Sequence, residues 1–340
     1  MKVDRKALIS VLSAVKPAVS EREVVEQSNA FIFYEGRVYT YNDEIAVSHP
    51  TEVSFNCAVK AKELVALLDK LADDEIDIEV KGSELRVSGK KSQAGINLQT
   101  EINMDLLTAI GKPDGDWNEL PEDFVTGVSF CMFSVCHDLN TPMLTCVNVS
   151  GNEVFSTDKL RITQYRMKSD LPDGGIMNIP IAAAKELKNY KPTEYVQTDG
   201  WIHFKTKEEV IFSTRVMEGD FPTDHARAYL DGVERKEVIK LPSDLSDCLT
   251  RAGIFSSAGS QTMDRIKLEL GDKELTISSK GHSGWFTETA RVRYSGKPVM
   301  FEVNHGLLKD ILSFTDEMLV GEKLLKFEGE SFSHGISILG

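Results

Sequence analysis

Apolar residues follow two rhythms along this chain, a helical one and a strand one, and their alternation predicts the elements. In residues 4–19, DRKALISVLSAVKPAV, Leu8, Val11, Leu12 and Val15 share one helical face, Arg5, Lys6 and Lys16 are left to solvent, and Pro17 closes the helix. Two β-rich segments follow, AFIFYEGRVYTYN and IAVSHPTEVSFNCAV, with Gly36 at a hairpin turn. Helical spacing returns in KAKELVALLDKLAD through Leu64, Leu67, Leu68 and Leu71, after which EIDIEVKGSELRVSG and KSQAGINLQT alternate as strands. The plan is helix, strands, helix, strands.

That plan recurs twice. FVTGVSFCMFSVCHD, MLTCVNVSGNEVFSTDKLRITQYRM, IAAAKELKNYK and YVQTDGWIHFKTKEEVIFSTRVME repeat it, and so does the stretch that opens with PSDLSDCLTRAGIF and ends with SFSHGISIL. Landmarks keep the same phase. Gly36 leads to Asp43 and Gly151 to Asp158 at one offset, Gly271 leads to SSKGHSG at that offset, and Lys62, Lys185 and Lys309 recur at intervals of roughly 120 residues inside helical patterns. Three α+β units are therefore expected, 1–114, 115–226 and 227–340, each of ordinary domain size. GKPDGDWNELPED and residues 219–232 read as the linkers.

Composition narrows the chemistry. With 340 residues, 41% of them hydrophobic, the chain can bury several cores. A net charge of -14 argues against a protein that coats nucleic acid or anionic membrane indiscriminately, so any DNA contact must be local. Cys57, Cys131, Cys136, Cys146 and Cys248 form no CxxC pair and the histidines show no HxxxH, which leaves no zinc spacing and suggests reduced thiols in a cytosol. No apolar run approaches the ~18 residues of a membrane span, and the expected location is cytoplasmic.

No enzymatic constellation emerges either, and neither a cofactor nor a metal is expected. GHSGW at Gly281 lacks the Gly-x-Ser-x-Gly spacing of a nucleophile elbow, and there is no phosphate-binding GxxxxGK[ST] and no GxGxxG after a strand. Cys131 and Cys136 lie in an almost wholly apolar helix, where a buried structural thiol is the simpler reading than a nucleophile. Lys185, Lys188 and Lys191, spaced three apart, form a basic stripe whose plain explanation is a solvated face.

The segments KVDRKALISVLSAV, STDKLRITQY, IPIAAAKELK, STRVMEGDFPTD and VMFEVNHGLLKDIL, in this order, resemble the bacterial β-type DNA polymerase sliding clamp, the DNA polymerase III beta subunit family. The TDxxR turn and the EGDFP linker are the most specific marks, the resemblance covers the whole chain, and the sequence is a divergent example. It implies three tandem clamp domains in an arc, two chains closing head to tail as a homodimeric ring around duplex DNA, and a processivity factor that tethers the replicative polymerase rather than an enzyme. Lys6, Arg22, Lys62, Lys185, Lys188, Lys191, Arg251 and Lys309 would face the DNA without reading its sequence. At the subunit joint Ile96 and Leu98 would meet Ile254 and Phe255.

The resemblance also implies a groove for short peptides of the polymerase and the clamp loader, built from Thr157, Lys159, Leu160, Arg161, Ile162, Pro222, Ala226, Arg227, Ile336, Ile338 and Leu339. Three departures fall there. Lys159-Leu160 replaces the usual Gly-His, Ala226-Arg227 the usual Arg-Val, and residues 335–340 the usual Met-Pro-Met ending, which points to a more acidic or more apolar peptide. Ordinary strand core remains the alternative for Ile162, Ile336 and Ile338. The rival to a ring is a clamp-fold interaction scaffold that does not encircle DNA.

Overall fold

A computed structural model describes the chain except residues 24, 100, 112, 114, 234–236, 257–263 and 340. Parts of three expected segments lie outside the described residues: Lys112 and Asp114 of the first linker, Thr100 at the end of KSQAGINLQT, and the terminal Gly340. The chain forms two compact units, one of Met1–Ser129 with Leu171–Glu218 and one of Phe130–Asp170 with Gly219–Gly340.

The first unit is built on a 12-stranded antiparallel sheet. Its opening helix, Arg5–Val15, starts where Asp4 accepts a hydrogen bond from the Ala7 amide at 2.7 Å, a side-chain cap for an otherwise orphaned donor. Leu8, Leu12 and Val15 are buried and Val11 half-buried, as the helical spacing predicts, each fully buried side chain contributing about 1.5–3 kcal/mol. The helix ends at Val15, and Pro17 lies in a following 3-10 turn. Helix Ile181–Tyr190 joins it through the Tyr190 hydroxyl, which donates to the Ala14 carbonyl at 2.7 Å while its ring stacks on Phe212 at 4.9 Å.

In the second unit the strands Cys146–Ser150, Glu153–Thr157, Arg161–Arg166, Phe332–Ser337, Leu324–Glu328, Glu317–Val320 and Val238–Lys240 lie side by side in that order. A four-stranded sheet runs from Gly284–Arg291 through Glu274–Gly281 and Ile266–Gly271 to Val299–Val303. Helices Leu245–Gly253 and His305–Ile311 belong to this unit, the latter capped by Asn304, which accepts from the amides of Gly306 and Leu307. Leu249, Leu308, Ile311, Leu325, Phe327 and Ile336 are among the residues of its main core.

At four places the structure differs from the sequence reading or adds to it. Residues 219–232, expected as a linker, contain the helix Thr223–Asp231, whose Ala226 and Leu230, one turn apart, are buried. The junction expected between 226 and 227 falls inside it. Met104–Gly111 is a second helix that the sequence reading passes over; it is anchored by buried Leu107 and Ile110. The hairpin between strands Ile266–Gly271 and Glu274–Gly281 turns on Asp272 (φ 46°) and Lys273 (φ 68°), while the landmark Gly271 stays in its strand. Finally, the basic stripe breaks at the helix end: Lys191 takes a left-handed conformation (φ 50°) as the cap of Ile181–Tyr190, so only Lys185 and Lys188 lie on helical turns.

Candidate peptide cleft, basic residues and open sheet edges

The turn between strands Glu153–Thr157 and Arg161–Arg166 is held by its own side chains. One Asp158 carboxylate oxygen accepts from the amides of Leu160 (3.0 Å) and Arg161 (2.9 Å), and the other accepts from Arg161 Nε at 2.9 Å. Thr157 donates its hydroxyl to the Arg161 carbonyl at 2.7 Å and accepts from the Lys159 amide at 3.2 Å. This is why Thr-Asp at the head of a turn and Arg at its exit form a local motif: the short polar side chains replace backbone partners. The Arg161 guanidinium also reaches Asp310 of helix His305–Ile311 at 2.6 Å and lies 5.3 Å over the Phe133 ring.

Beside this turn a cleft of about 360 Å³ opens, lined by Leu144, Thr157, Lys159, Arg161, Ile162, Pro222, His225, Ala226, Tyr229 and Ser337. Ile162 forms its floor, packed at once against the cluster of Phe155, Phe221 and Ala226 and against that of Leu230, Val233, Leu319 and Leu324. Helix Thr223–Asp231 can approach because Gly335 has no side chain; a Cβ there would sit 2.7 Å from Leu324 Cδ1 and 3.0 Å from Leu230 Cδ2.

Six of the eleven expected groove residues line this cleft: Thr157, Lys159, Arg161, Ile162, Pro222 and Ala226. Five do not. Ile336 points into the core and is fully buried, and strand alternation hands the lining position to its neighbour Ser337. Ile338 packs against the same core. Leu339 is tied to the Glu302 carbonyl by its amide, and Leu160 contributes its carbonyl to the Ser337 amide at 2.8 Å. Arg227 turns away to Glu153 and Asp224, so it lends the cleft no free charge. Burial works to raise the Glu153 carboxyl, yet Arg227 and Arg166 outweigh it and hold it below the usual carboxylate range. Leu144, His225, Tyr229 and Ser337 are the residues the sequence reading misses. Pro222, His225, Ala226 and Tyr229 sit at helical spacing, but none of the four is a large aliphatic residue and breaker residues precede them, so the stripe gives little apolar signal in the sequence.

Beneath the cleft runs a buried polar chain. Ser134 Oγ meets Thr163 Oγ1 at 2.5 Å, and Thr163 Oγ1 meets His334 Nδ1 at 2.8 Å. His334 Nε2 has no hydrogen-bond partner among the described residues, and burial, with the Arg161 charge, pushes this imidazole down to about 3.

The eight candidate DNA-facing cations are all exposed, but their charges are not equally available. Lys6 pairs with Asp74 at 3.0 Å, Arg251 is held by both oxygens of Glu288, and Lys309 donates to the Thr250 hydroxyl at 2.8 Å. Arg22, Lys62, Lys185, Lys188, Lys191 and Lys309 have no ionic partner among the described residues.

Among the described residues, two strands with an unpaired stretch of edge lie beside the residues expected at the subunit joint. Strand Gln93–Gln99 pairs along one side with Glu84–Ser88, whereas on the other only Leu98 and Gln99 pair, with Val59 and Ala58. Ile96 and Leu98 on it are half-buried. Gly284–Arg291 is paired only with Glu274–Gly281, and it displays Trp285 at 71% exposure. Phe255 lies against the start of that edge, its ring 3.0 Å from where a Cβ on Gly284 would be, and Ile254 beside it is 65% exposed.

These sheets, helix positions and turns define a mixed α/β fold of the DNA sliding-clamp class. No family model matches the sequence, and no curated protein does. Among solved structures, the chain is similar to the sliding clamp (DNA polymerase III subunit beta) of Bartonella birtlesii bound to griselimycin, with TM-score 0.84, 17% identity and coverage of 100% of this chain and 99% of that one. It matches a putative DNA polymerase III beta subunit from Eubacterium rectale with TM-score 0.83 and 18% identity over 100% and 99% of the two chains. The Bacillus subtilis DNA polymerase sliding clamp follows with TM-score 0.82, 17% identity, and 100% and 98% coverage. At such identities the likeness is one of fold.

Proposed function

We propose that this protein is a DNA polymerase processivity factor: two chains join head to tail as a ring around duplex DNA, and short peptides of the polymerase and clamp loader dock in the cleft at Ile162. The observation that carries this reading is the full-length fold match to bacterial DNA polymerase III beta clamps, with coverage of 98–99% of each of those three chains. On this reading the chain carries three tandem clamp domains, close to 1–114, 115–226 and 227–340. The chain acts as a scaffold and not as an enzyme, in the cytoplasm.

The subunit joint of this proposal is a strand pairing between the open edges at 93–97 and Gly284–Arg291, flanked by Ile96, Leu98, Ile254 and Phe255. Such pairing removes two edges that otherwise invite aggregation, and unlike edges on one chain give a heterologous contact that closes or polymerises. DNA is held through phosphates only, by Arg22, Lys62, Lys185, Lys188, Lys191 and Lys309 above all, since Lys6 and Arg251 are already paired with acids. Retention on circular against linear DNA tests the reading. Rings should persist on circles and leave linear duplexes by their ends; equal loss from both, or a monomer by native mass spectrometry, supports the non-encircling scaffold instead.

A further inference from the structure

Lys159 occupies a left-handed backbone position (φ 76°) at the lip of the cleft. Glycine takes that conformation without steric cost, whereas a lysine is strained there, and strain retained beside a cleft is reason to ask what the side chain does. The turn leaves it no freedom to move aside, since Asp158 and Thr157 fix the backbone on both sides of it. Its charge is also unspent. The neighbouring Arg161 is engaged by Asp158 and Asp310, but Lys159 has no ionic partner among the described residues. Asp138, the nearby acid that feels its charge, is occupied with the backbone and side-chain amides of Asn140. Exposed His225 also lines the cleft and adds a ring nitrogen that can donate or accept, while Leu144, Ile162 and Ala226 supply its aliphatic surface. At about 360 Å³ the space is near the lower end of ligand sites, room for a few side chains and no more.

We propose that the cleft selects a linear peptide in which an aspartate or glutamate side chain lies next to an aliphatic anchor, the anchor seated on Ile162 and the carboxylate received by Lys159. This rests on the reading of the cleft as a peptide site. Apolar burial supplies the affinity, while the single cation at the lip supplies the choice between sequences, which is the division of labour expected where one charge borders an apolar pocket.

The test uses the full chain and three fluorescein-labelled peptides, Ser-Gly-Xaa-Leu-Xaa-Leu-Gly-Ser with Xaa as Asp, Asn or Lys, titrated by anisotropy at physiological ionic strength. Wild type should prefer the Asp peptide over the Asn peptide by about fivefold, the upper range for a partly exposed ion pair. Lys159→Gly, which suits the left-handed position and so keeps the turn, should bring that ratio to about one, and Lys159→Glu should invert it in favour of the Lys peptide. A wild-type ratio near one, or a preference that survives Lys159→Gly, overturns the charge selection while leaving the cleft as a peptide site. Binding of all peptides that is unaffected by Ile162→Asp, or no binding to wild type, overturns the peptide site itself.

Discussion

Replacing Arg161 by methionine removes the guanidinium that ties the cleft turn to helix His305–Ile311 while keeping an unbranched side chain of similar reach. Its side chain is only 10% exposed, so the bonds it makes are poorly replaced by water. The bond to Asp158, itself 18% exposed, is charged at both ends, and its loss costs about 2 kcal/mol. The pair with Asp310 is half-exposed and adds well under about 1 kcal/mol. Loss of the stacking over Phe133 adds about 0.5 kcal/mol, for a total near 3 kcal/mol. Asp158 keeps its two backbone donors, so the turn should loosen rather than collapse. Urea unfolding at fixed protein concentration reads the total, and a double-mutant cycle apportions it: Arg161→Met with Asp158→Asn should couple more strongly than Arg161→Met with Asp310→Asn. A loss below about 0.5 kcal/mol, or stronger coupling to Asp310, would refute this account of the turn.

Ile162→Asp should abolish peptide binding and leave the proposed dimer intact by light scattering, because a carboxylate on the apolar floor costs several kcal/mol, of which Lys159 at the lip offsets only a part. Changing Lys185, Lys188 and Lys191 together to glutamate should shorten ring lifetime on circular DNA without altering mass. The logarithmic salt dependence of wild-type retention should be steeper than that of the variant by about 0.9 for each phosphate these lysines neutralise. Arg251→Gln should weaken the dimer more than it weakens DNA retention, since Glu288 lies on the open edge strand; concentration-dependent sedimentation separates the two. Acid should destabilise both units. Burial pushes His203 down to about 4 and His334 to about 3 from 6.5, so these rings stay neutral in the fold while the unfolded chain takes up protons. Stability is therefore whole above pH 6.5 and falls below it by about 1.4 kcal/mol per histidine and pH unit towards those values, a slope that His203→Gln should reduce in a pH series of urea unfolding.

Much of the fold is legible in the sequence because its helices and strands bury one face each. Leu8, Leu12 and Val15, or Leu64 and Leu68, announce their helices by spacing alone, and both sets are buried. Elements too short or too polar to show a period are not legible. Helix Thr223–Asp231 has only Ala226 and Leu230 facing inward, and it follows Gly219 and Pro222 with Asp220 between them, so breaker residues outweigh its two apolar positions. The hairpin at Asp272 and Lys273 is hidden for a related reason: both residues adopt left-handed conformations that glycine favours.

The candidate site is legible where a motif acts through its own backbone and opaque where it depends on the phase of a strand. Thr157, Asp158 and Arg161 bond one another within five consecutive residues, so their types and spacing carry the geometry. Phe332–Ser337 offers no such signal. Glycine at 335 and serine at 337 flank Ile336, and an apolar residue there fits a cleft or a core equally well until the partner strands are known. Register decides it: Ile336 opposes Arg161 on one side and Leu325 on the other, and its side chain enters the main core. The cleft consequently gains a small hydroxyl at Ser337 instead of an aliphatic wall, and its apolar surface is confined to Leu144, Ile162, Pro222, Ala226 and the Tyr229 ring. With so narrow a floor, few anchors can be buried at once, and the cation at Lys159 weighs more in the choice of ligand than it would beside a larger apolar groove.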